Sequence, residues 1–159
     1  QMKTATQTTV SSSATATEML KANIRAYEQS KPLPYTKEQF SNPENEDFCA
    51  EHIRYWNNAL PRAEQFTKHE HSEGCENHEI GCRVLEKTSW NQNLPYAEQY
   101  TKQDILNTKG CKAWDLTYWN RTLPNAKQFT KDEHSNAKGL NLKSIKHWNA
   151  YASKLEQYP

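Results

Sequence analysis

A cluster of histidine and cysteine residues in the middle of the chain is the densest group of side chains with the types needed for metal binding. Thiolate and imidazole groups are the ligands that Zn²⁺ prefers in proteins. Their spacing here matches no closed zinc-finger signature. We therefore predict no resident cofactor, and zinc stays open as an alternative. The predicted zinc ligands are His69, His71, Cys75, His78 and Cys49.

The four cysteines fall into two groups by position. Cys82 and Cys111 occupy a place in a sequence repeat where Leu140 also occurs, so we interpret that place as a buried packing site. Both thiols are expected to be reduced and protected. Cys49 and Cys75 lie outside this place, and an oxidising compartment would permit a disulfide between them, in competition with metal binding.

The residue patterns typical of enzymes do not occur in this sequence. It contains no nucleophile elbow, no His-Glu-x-x-His motif, no phosphate-binding loop and no dinucleotide fingerprint. The most regular cysteines occupy an apolar place, where a thiol is inert rather than activated. We therefore predict that the protein is not an enzyme.

Most of the chain consists of imperfect copies of one unit, in which Trp-Asn is followed by Leu-Pro and then by Gln, an aromatic residue, Thr and Lys. The copies centre on Trp56, Trp90, Trp119 and Trp148, and the last copy lacks the proline. Successive repeat tryptophans from Trp90 to Trp119 and from Trp119 to Trp148 are spaced 29 residues apart. Units of this size that recur without interruption are typical of stacked helix pairs, because one pair cannot bury its own apolar face.

Each unit is predicted to form two short helices. The Leu-Pro pair should end the first helix, and a threonine with an acidic residue three positions later should begin the second. Apolar residues at helical spacing predict a further helix over residues 18–31. Residues 1–17 are rich in Ser and Thr and are expected to form an extended tail. The predicted fold is all-α, an elongated array of short two-helix repeats with a period of 29 residues that forms a single domain over residues 18–159.

The repeated Trp-Asn pair allows two interpretations. In the first, the asparagine amide satisfies backbone groups near the helix break. In the second, the pairs form an exposed ladder whose rings stack on a ligand or partner while the amides provide specificity. The ladder residues are Trp56, Asn57, Trp90, Asn91, Trp119, Asn120, Trp148 and Asn149. Asn120 also begins an Asn-x-Thr glycosylation sequon, which has meaning only in a secreted eukaryotic protein.

Charge and composition favour binding over other roles. Twenty basic and nineteen acidic residues give a net charge of +1, so nucleic acid is not an expected partner. The mean hydropathy is −1.09 and no apolar run reaches membrane-spanning length. We expect a helical-repeat protein that binds other proteins or copies of itself, with the tail lying against another copy. The alternatives are an extracellular ligand- or glycan-binding module that uses the Trp-Asn ladder, and a zinc-stabilised regulatory domain. A secreted or extracellular location is slightly favoured over a cytoplasmic one.

Overall fold

The computed structural model describes residues 14–74 and 83–159. Within these two ranges the chain is helical and contains no strand, which confirms the predicted all-α class. The α-helices are α1 (Ala16–Glu28), α2 (Lys37–Phe40), α3 (Ala50–Ala59), α4 (Lys68–Glu73), α5 (Val84–Asn93), α6 (Lys102–Leu106), α7 (Ala113–Thr122), α8 (Lys131–Ser135) and α9 (Leu142–Tyr151), followed by a 3-10 helix at Lys154–Glu156.

The first helix begins earlier and ends earlier than the sequence predicts. Thr15 is the N-cap of α1: its side chain accepts a hydrogen bond from the backbone N–H of Glu18, and the Glu18 carboxylate accepts one from the N–H of Thr15. This capping box starts the helix at Ala16. The last two residues of the predicted tail therefore belong to α1. Residues 1–13 lie outside the described ranges, so the extended tail stays a prediction.

The long helix of each repeat ends where the sequence predicts. Helices α3, α5, α7 and α9 each have ten residues, and the latter three begin at residues 84, 113 and 142. In the first three of these helices a leucine is the C-cap and donates its N–H to the carbonyl of the tryptophan four residues earlier. The proline that follows has no N–H to donate, so the helix stops there.

The short helix of each repeat begins at its threonine cap. Thr101 accepts a hydrogen bond from the N–H of Asp104 at 3.1 Å, and the Asp104 carboxylate accepts one from the N–H of Thr101 at 2.8 Å. Equivalent capping boxes begin α2, α4 and α8. Helices of four to six residues are unstable alone, so packing against the long helices must stabilise them.

The helices group into two compact units, residues 1–65 and residues 66–159. In the first unit α1 packs on α2 and α3, and in the second α7 packs on α5, α8 and α9. The boundary lies inside a repeat, between Gln65 and Phe66, although the sequence predicts one domain over residues 18–159. No helix in the described ranges is both long and apolar enough to cross a membrane.

Candidate functional site

The four repeat tryptophans lie in the interior. Trp56, Trp90, Trp119 and Trp148 are at most 2% exposed. Each indole Nε1 donates a hydrogen bond to the backbone carbonyl eight residues further along the chain, at 2.6 to 3.1 Å. A ring that is buried in this way has no face on which a ligand can stack. The prediction that these side chains line a binding surface is therefore corrected: they form the core.

The asparagine after the tryptophan joins the two halves of its repeat. Asn91 Nδ2 donates to the carbonyl of Tyr100 at 2.9 Å, and Asn91 Oδ1 accepts from the N–H of Tyr100 at 2.8 Å. The same pair of bonds, at 2.8 to 3.1 Å, connects Asn120 with Phe129 and Asn149 with Tyr158. Asn57 is 4% exposed. The first interpretation, in which the amide satisfies backbone groups, is confirmed for these three asparagines.

The glycosylation sequon at Asn120 is engaged in this structure. Its Nδ2 donates to the carbonyl of Phe129, and this nitrogen is the atom to which a glycan would be attached. A glycan there would replace one of the two hydrogens of this half-buried nitrogen and would crowd the bond that joins α7 to the following segment. We therefore reinterpret Asn120 as a structural residue of the folded chain.

The N-terminal helix contains a divergent copy of the same unit. Asn23 Nδ2 donates to the carbonyl of Tyr35 at 2.9 Å, and Asn23 Oδ1 accepts from the N–H of Tyr35 at 3.0 Å. Ala22 stands where the other repeats have tryptophan. The sequence analysis missed this copy because its asparagine and aromatic residue are 12 residues apart instead of nine.

The fourth residue of each short helix, called its central residue below, is buried, and in α2, α4 and α8 it contacts the tryptophan of the next repeat. The ring centroids of His71 and Trp90 are 4.4 Å apart, as are those of His134 and Trp148. Phe40 and Trp56 make the same contact at 4.8 Å. Four central residues are fully buried: Phe40, His71, Ile105 and His134. These contacts link each repeat to its neighbour.

Whether this central residue is histidine or an apolar residue corresponds to whether the aromatic residue that ends the next repeat is tyrosine or phenylalanine. His71 Nδ1 lies 2.6 Å from Tyr100 Oη, whereas Ile105 is matched in sequence by Phe129, which has no hydroxyl. A buried imidazole nitrogen needs a hydrogen-bond partner, and an isoleucine does not. The second such pair is His134 with Tyr158, in which His134 Nδ1 lies 2.7 Å from Tyr158 Oη. The joint occurrence of His with Tyr is a signal that the sequence analysis did not use.

The two buried histidines differ at their second nitrogen. His71 Nε2 lies 3.0 Å from a carboxylate oxygen of Glu86. Ser144 occupies the position of Glu86 in the last repeat, but its hydroxyl is used in the capping box with Asn141. His134 Nε2 is buried and has no hydrogen-bond partner among residues 14–74 and 83–159. Burial and the charge of a neighbouring histidine lower the pKa of His134.

Other partners surround the two histidines of α4 that were predicted as zinc ligands. His71 has Tyr100 and Glu86 at its two ring nitrogens, so neither nitrogen is available to a metal. His69 is exposed, and its Nε2 lies 2.9 Å from Glu73. Within residues 14–74 and 83–159, no three potential ligands come together. We therefore reinterpret His71 as a packing residue.

The remaining metal and disulfide predictions depend partly on residues that the structure does not describe. Cys75, His78 and Cys82 lie in the range 75–82. Cys49 is the N-cap of α3, and its Sγ lies 3.3 Å from His52 Nδ1. The zinc site and the Cys49–Cys75 disulfide both stay predictions.

Cys111 occupies a place that slows thiol chemistry. Its side chain is half-buried, and no disulfide is formed at this residue. Burial, and then the negative charge of Asp115, raise the pKa of the Cys111 thiol to about 11. Because the thiolate is the nucleophile, this thiol is unreactive at neutral pH.

A groove of about 960 Å³ lies between the repeats of Trp90 and Trp119. Lys102 Nζ and Glu133, which both line it, form an ion pair at 2.7 Å. Burial opposes ionisation of this carboxyl, but the hydrogen bonds from Lys102 and Thr130 together with the charge of Lys102 lower the pKa of Glu133 overall. One repeat earlier, Lys68 pairs with Asp104 at 3.0 Å. These charges link adjacent repeats, so the carboxylate in the groove is already engaged.

Two exposed aromatic residues of the second unit, Trp114 and Tyr151, lie on the outer side of α7 and α9. We call this surface the α7–α9 face and define it by Trp114, Tyr118, Arg121, His147 and Tyr151. The Trp114 and His147 rings stack in parallel, with centroids 3.8 Å apart and planes 10° from parallel. The Arg121 guanidinium lies 5.4 Å from the centre of the Tyr118 ring and 5.1 Å from that of Tyr151. Trp114 is 45% exposed and Tyr151 is 55% exposed.

The α9 side of the α7–α9 face is basic. Two acidic residues adjoin the face, Asp115 and Glu156, and both are half-buried and accept a backbone hydrogen bond. The sequence from residue 134 to residue 155 contains no Asp or Glu, and it has four lysines: Lys138, Lys143, Lys146 and Lys154. All four are exposed. Burial and the charge of Arg121 lower the pKa of His147, which favours the neutral form of this ring against Trp114. A pocket of about 330 Å³ beside Trp114 is lined by Lys112 and Lys143. The sequence analysis missed this surface, although Trp114 is the one tryptophan outside the repeat position.

Comparisons with known proteins do not connect the chain to a family. No family model, no curated protein and no solved structure matches it.

Proposed function

We propose that this chain is a non-enzymatic helical-repeat protein that binds other protein chains, copies of itself included, through its α7–α9 face. The observation that carries the proposal is the exposure of Trp114 in a stack with His147, while the four repeat tryptophans are buried. Tryptophan, tyrosine and arginine are the residues that contribute most to protein–protein interfaces. All three residue types occur together on the α7–α9 face, as Trp114, Tyr151 and Arg121.

The repeat fold itself does not require aromatic residues at these positions. Lys143 of α9 and Leu85 of α5 occupy the place that Trp114 has in α7, and Ser89 occupies the place of Tyr118. All three helices have the same length. In α3 of the first unit, Tyr55 stands at the place of Tyr118 and is also exposed, so of the two aromatic residues only Trp114 is specific to α7. The scaffold does not require this tryptophan, which supports a role in binding.

Burial and hydrogen bonding weaken the two alternatives, glycan binding along the Trp-Asn ladder and stabilisation by zinc. A glycan that stacks on the Trp-Asn ladder would need exposed rings, and those rings are buried. A zinc-stabilised domain would need ligands beyond His71, whose two ring nitrogens have other partners. We therefore develop the protein-binding proposal.

The test uses the exposure of Trp114. Iodide quenches the fluorescence of exposed tryptophans, so Trp114 should account for most of the quenchable signal, and a Trp114→Phe variant should lose it. Protection from iodide that increases with protein concentration, or on adding polyglutamate as a model acidic chain, would support the proposal. Sedimentation of a Trp114→Ala/Tyr151→Ala variant should show association weakened at least about tenfold.

The control is Tyr96→Ala, because Tyr96 is fully exposed and lies outside the α7–α9 face. It should leave association unchanged, and circular dichroism should show equal helix content in all variants. The proposal is wrong if the doubly substituted protein associates as the original does. It is also wrong if Trp114 gains no protection at any protein concentration or from polyglutamate.

A further inference from the structure

We infer that the partner of the α7–α9 face is the acidic segment of a second copy of this chain, residues 38–51. This inference rests on the proposed function and gives that face a defined occupant. The segment contains five acidic residues and neither Lys nor Arg. Four of the acidic side chains are exposed: Glu38, Glu44, Glu46 and Glu51.

The acidic segment is held in a fixed shape. Asn45 Nδ2 donates to the carbonyls of Gln39 and Phe40, both at 3.0 Å. The Asp47 carboxylate accepts hydrogen bonds from the N–H groups of Ala16 and Thr17 at 2.8 and 3.0 Å. The Asn45 side chain thus joins two parts of the segment to each other, and the Asp47 carboxylate binds the segment to the start of α1. Both contacts reduce the entropy that binding would cost.

The glutamates next to these two anchors are left exposed. Glu44 and Glu46 flank Asn45, and neither forms an ion pair with any residue of the two described ranges. Lys143 and Lys146, beside the α7–α9 face, are likewise exposed and form no ion pair there. One chain therefore carries an unpaired acidic surface in its first unit and an unpaired basic, aromatic surface in its second. Such complementary surfaces attract each other and steer association.

The arrangement is heterologous, because the two surfaces that meet are different. When the acidic segment of one copy binds the α7–α9 face of another, one acidic segment and one α7–α9 face stay unused in the pair. Such contacts generate rings or open chains rather than simple dimers. The association should also weaken as salt increases, because ionic screening shortens the range of the charges.

Two complementary variants test the inference. The first, Glu44→Gln/Glu46→Gln, keeps the α7–α9 face and removes the charge of the acidic segment. The second, Trp114→Ala/Tyr151→Ala, keeps the acidic segment and removes the face. Each alone should have its association constant reduced at least about tenfold, and their mixture should form a one-to-one heterodimer that grows no further. A matched control, Glu28→Gln/Glu98→Gln, removes two exposed glutamates outside the segment and should associate as the original chain does.

The possible outcomes separate this inference from the proposed function. If the Glu44→Gln/Glu46→Gln variant associates as strongly as the original chain, the acidic segment is not the occupant, although a face that binds copies in another way would survive. If the original chain stays monomeric while polyglutamate protects Trp114, the partner is a different acidic protein and the inference is overturned. If only a single-stranded oligonucleotide protects Trp114, both the inference and the proposed function are wrong.

Discussion

Replacing Asn91 with alanine should cost the second unit a large part of its stability. The substitution removes both hydrogen bonds to Tyr100, at 2.9 and 2.8 Å, from a place where all the participating atoms are buried. It leaves one backbone carbonyl and one N–H of Tyr100 without a partner. Each buried group left in this state costs about 1 to 3 kcal/mol, so the pair costs about 2 to 6 kcal/mol. An ordinary domain has a free energy of unfolding of only about 5 to 15 kcal/mol.

Urea unfolding followed by circular dichroism at helix wavelengths measures this loss. With a dependence of about 1 to 3 kcal/mol per molar urea, a loss of 2 kcal/mol lowers the midpoint by about 1 M. Asn93→Ala is the matched control, because Asn93 is exposed, lies in the same helix and bonds only the carbonyl of Ser89. It should change the free energy of unfolding by less than about 0.5 kcal/mol. Equal effects of the two substitutions would refute the view that Asn91 joins the two halves of its repeat.

Three further predictions concern single side chains. Burial lowers the pKa of His134 below its ordinary 6.5, so the unfolded chain binds a proton at this residue more readily than the folded chain does. The free energy of unfolding should therefore be greatest above pH 6.5 and decrease as the pH falls through the folded-state pKa. The double substitution His134→Ile/Tyr158→Phe copies the apolar pair Ile105 and Phe129 of the preceding repeat, and it should make this decrease shallower in urea titrations at several pH values. Tyr158→Phe alone should lower the free energy of unfolding by about 1 to 3 kcal/mol. The thiol pKa of Cys111 is raised to about 11, so this thiol should react with iodoacetamide at neutral pH far more slowly in the folded than in the unfolded chain. Peptide mass spectrometry measures the two rates, and equal rates would contradict the burial of Cys111. Expression in a glycosylating host should give no glycan at Asn120 of the folded protein, and an occupied site would show that its bond to the backbone forms too late or is too weak.

The limits of the helices could be predicted because local interactions set them. A threonine cap acts on the residue three positions later, and a proline acts on the turn before it, so both effects are visible in a short stretch of sequence. The capping boxes at Thr101 and Thr130 and the helix ends before Pro95 and Pro124 follow these local rules. The all-α class follows from the same signals.

The positions of the side chains relative to the surface depended on packing between repeats. A recurring Trp-Asn pair is equally consistent with an exposed ladder and with a core, and only the contact between Trp90 and His71 of the preceding repeat decides for the core. The matching of His71 with Tyr100 joins residues 29 apart, so no local pattern requires it.

The sequence alone thus determined the repeat, its helices and their ends, because each of these depends on neighbours within one turn or one cap. Tertiary structure decided which aromatic residues are buried and which are offered to a partner. Trp119 and Trp114 lie on the same helix, yet the first is 2% exposed and the second is 45% exposed. The difference arises because α7 packs against α5, α8 and α9, and Trp119 lies among these contacts, whereas the ring of Trp114 stacks on His147 of α9 and keeps nearly half of its surface exposed.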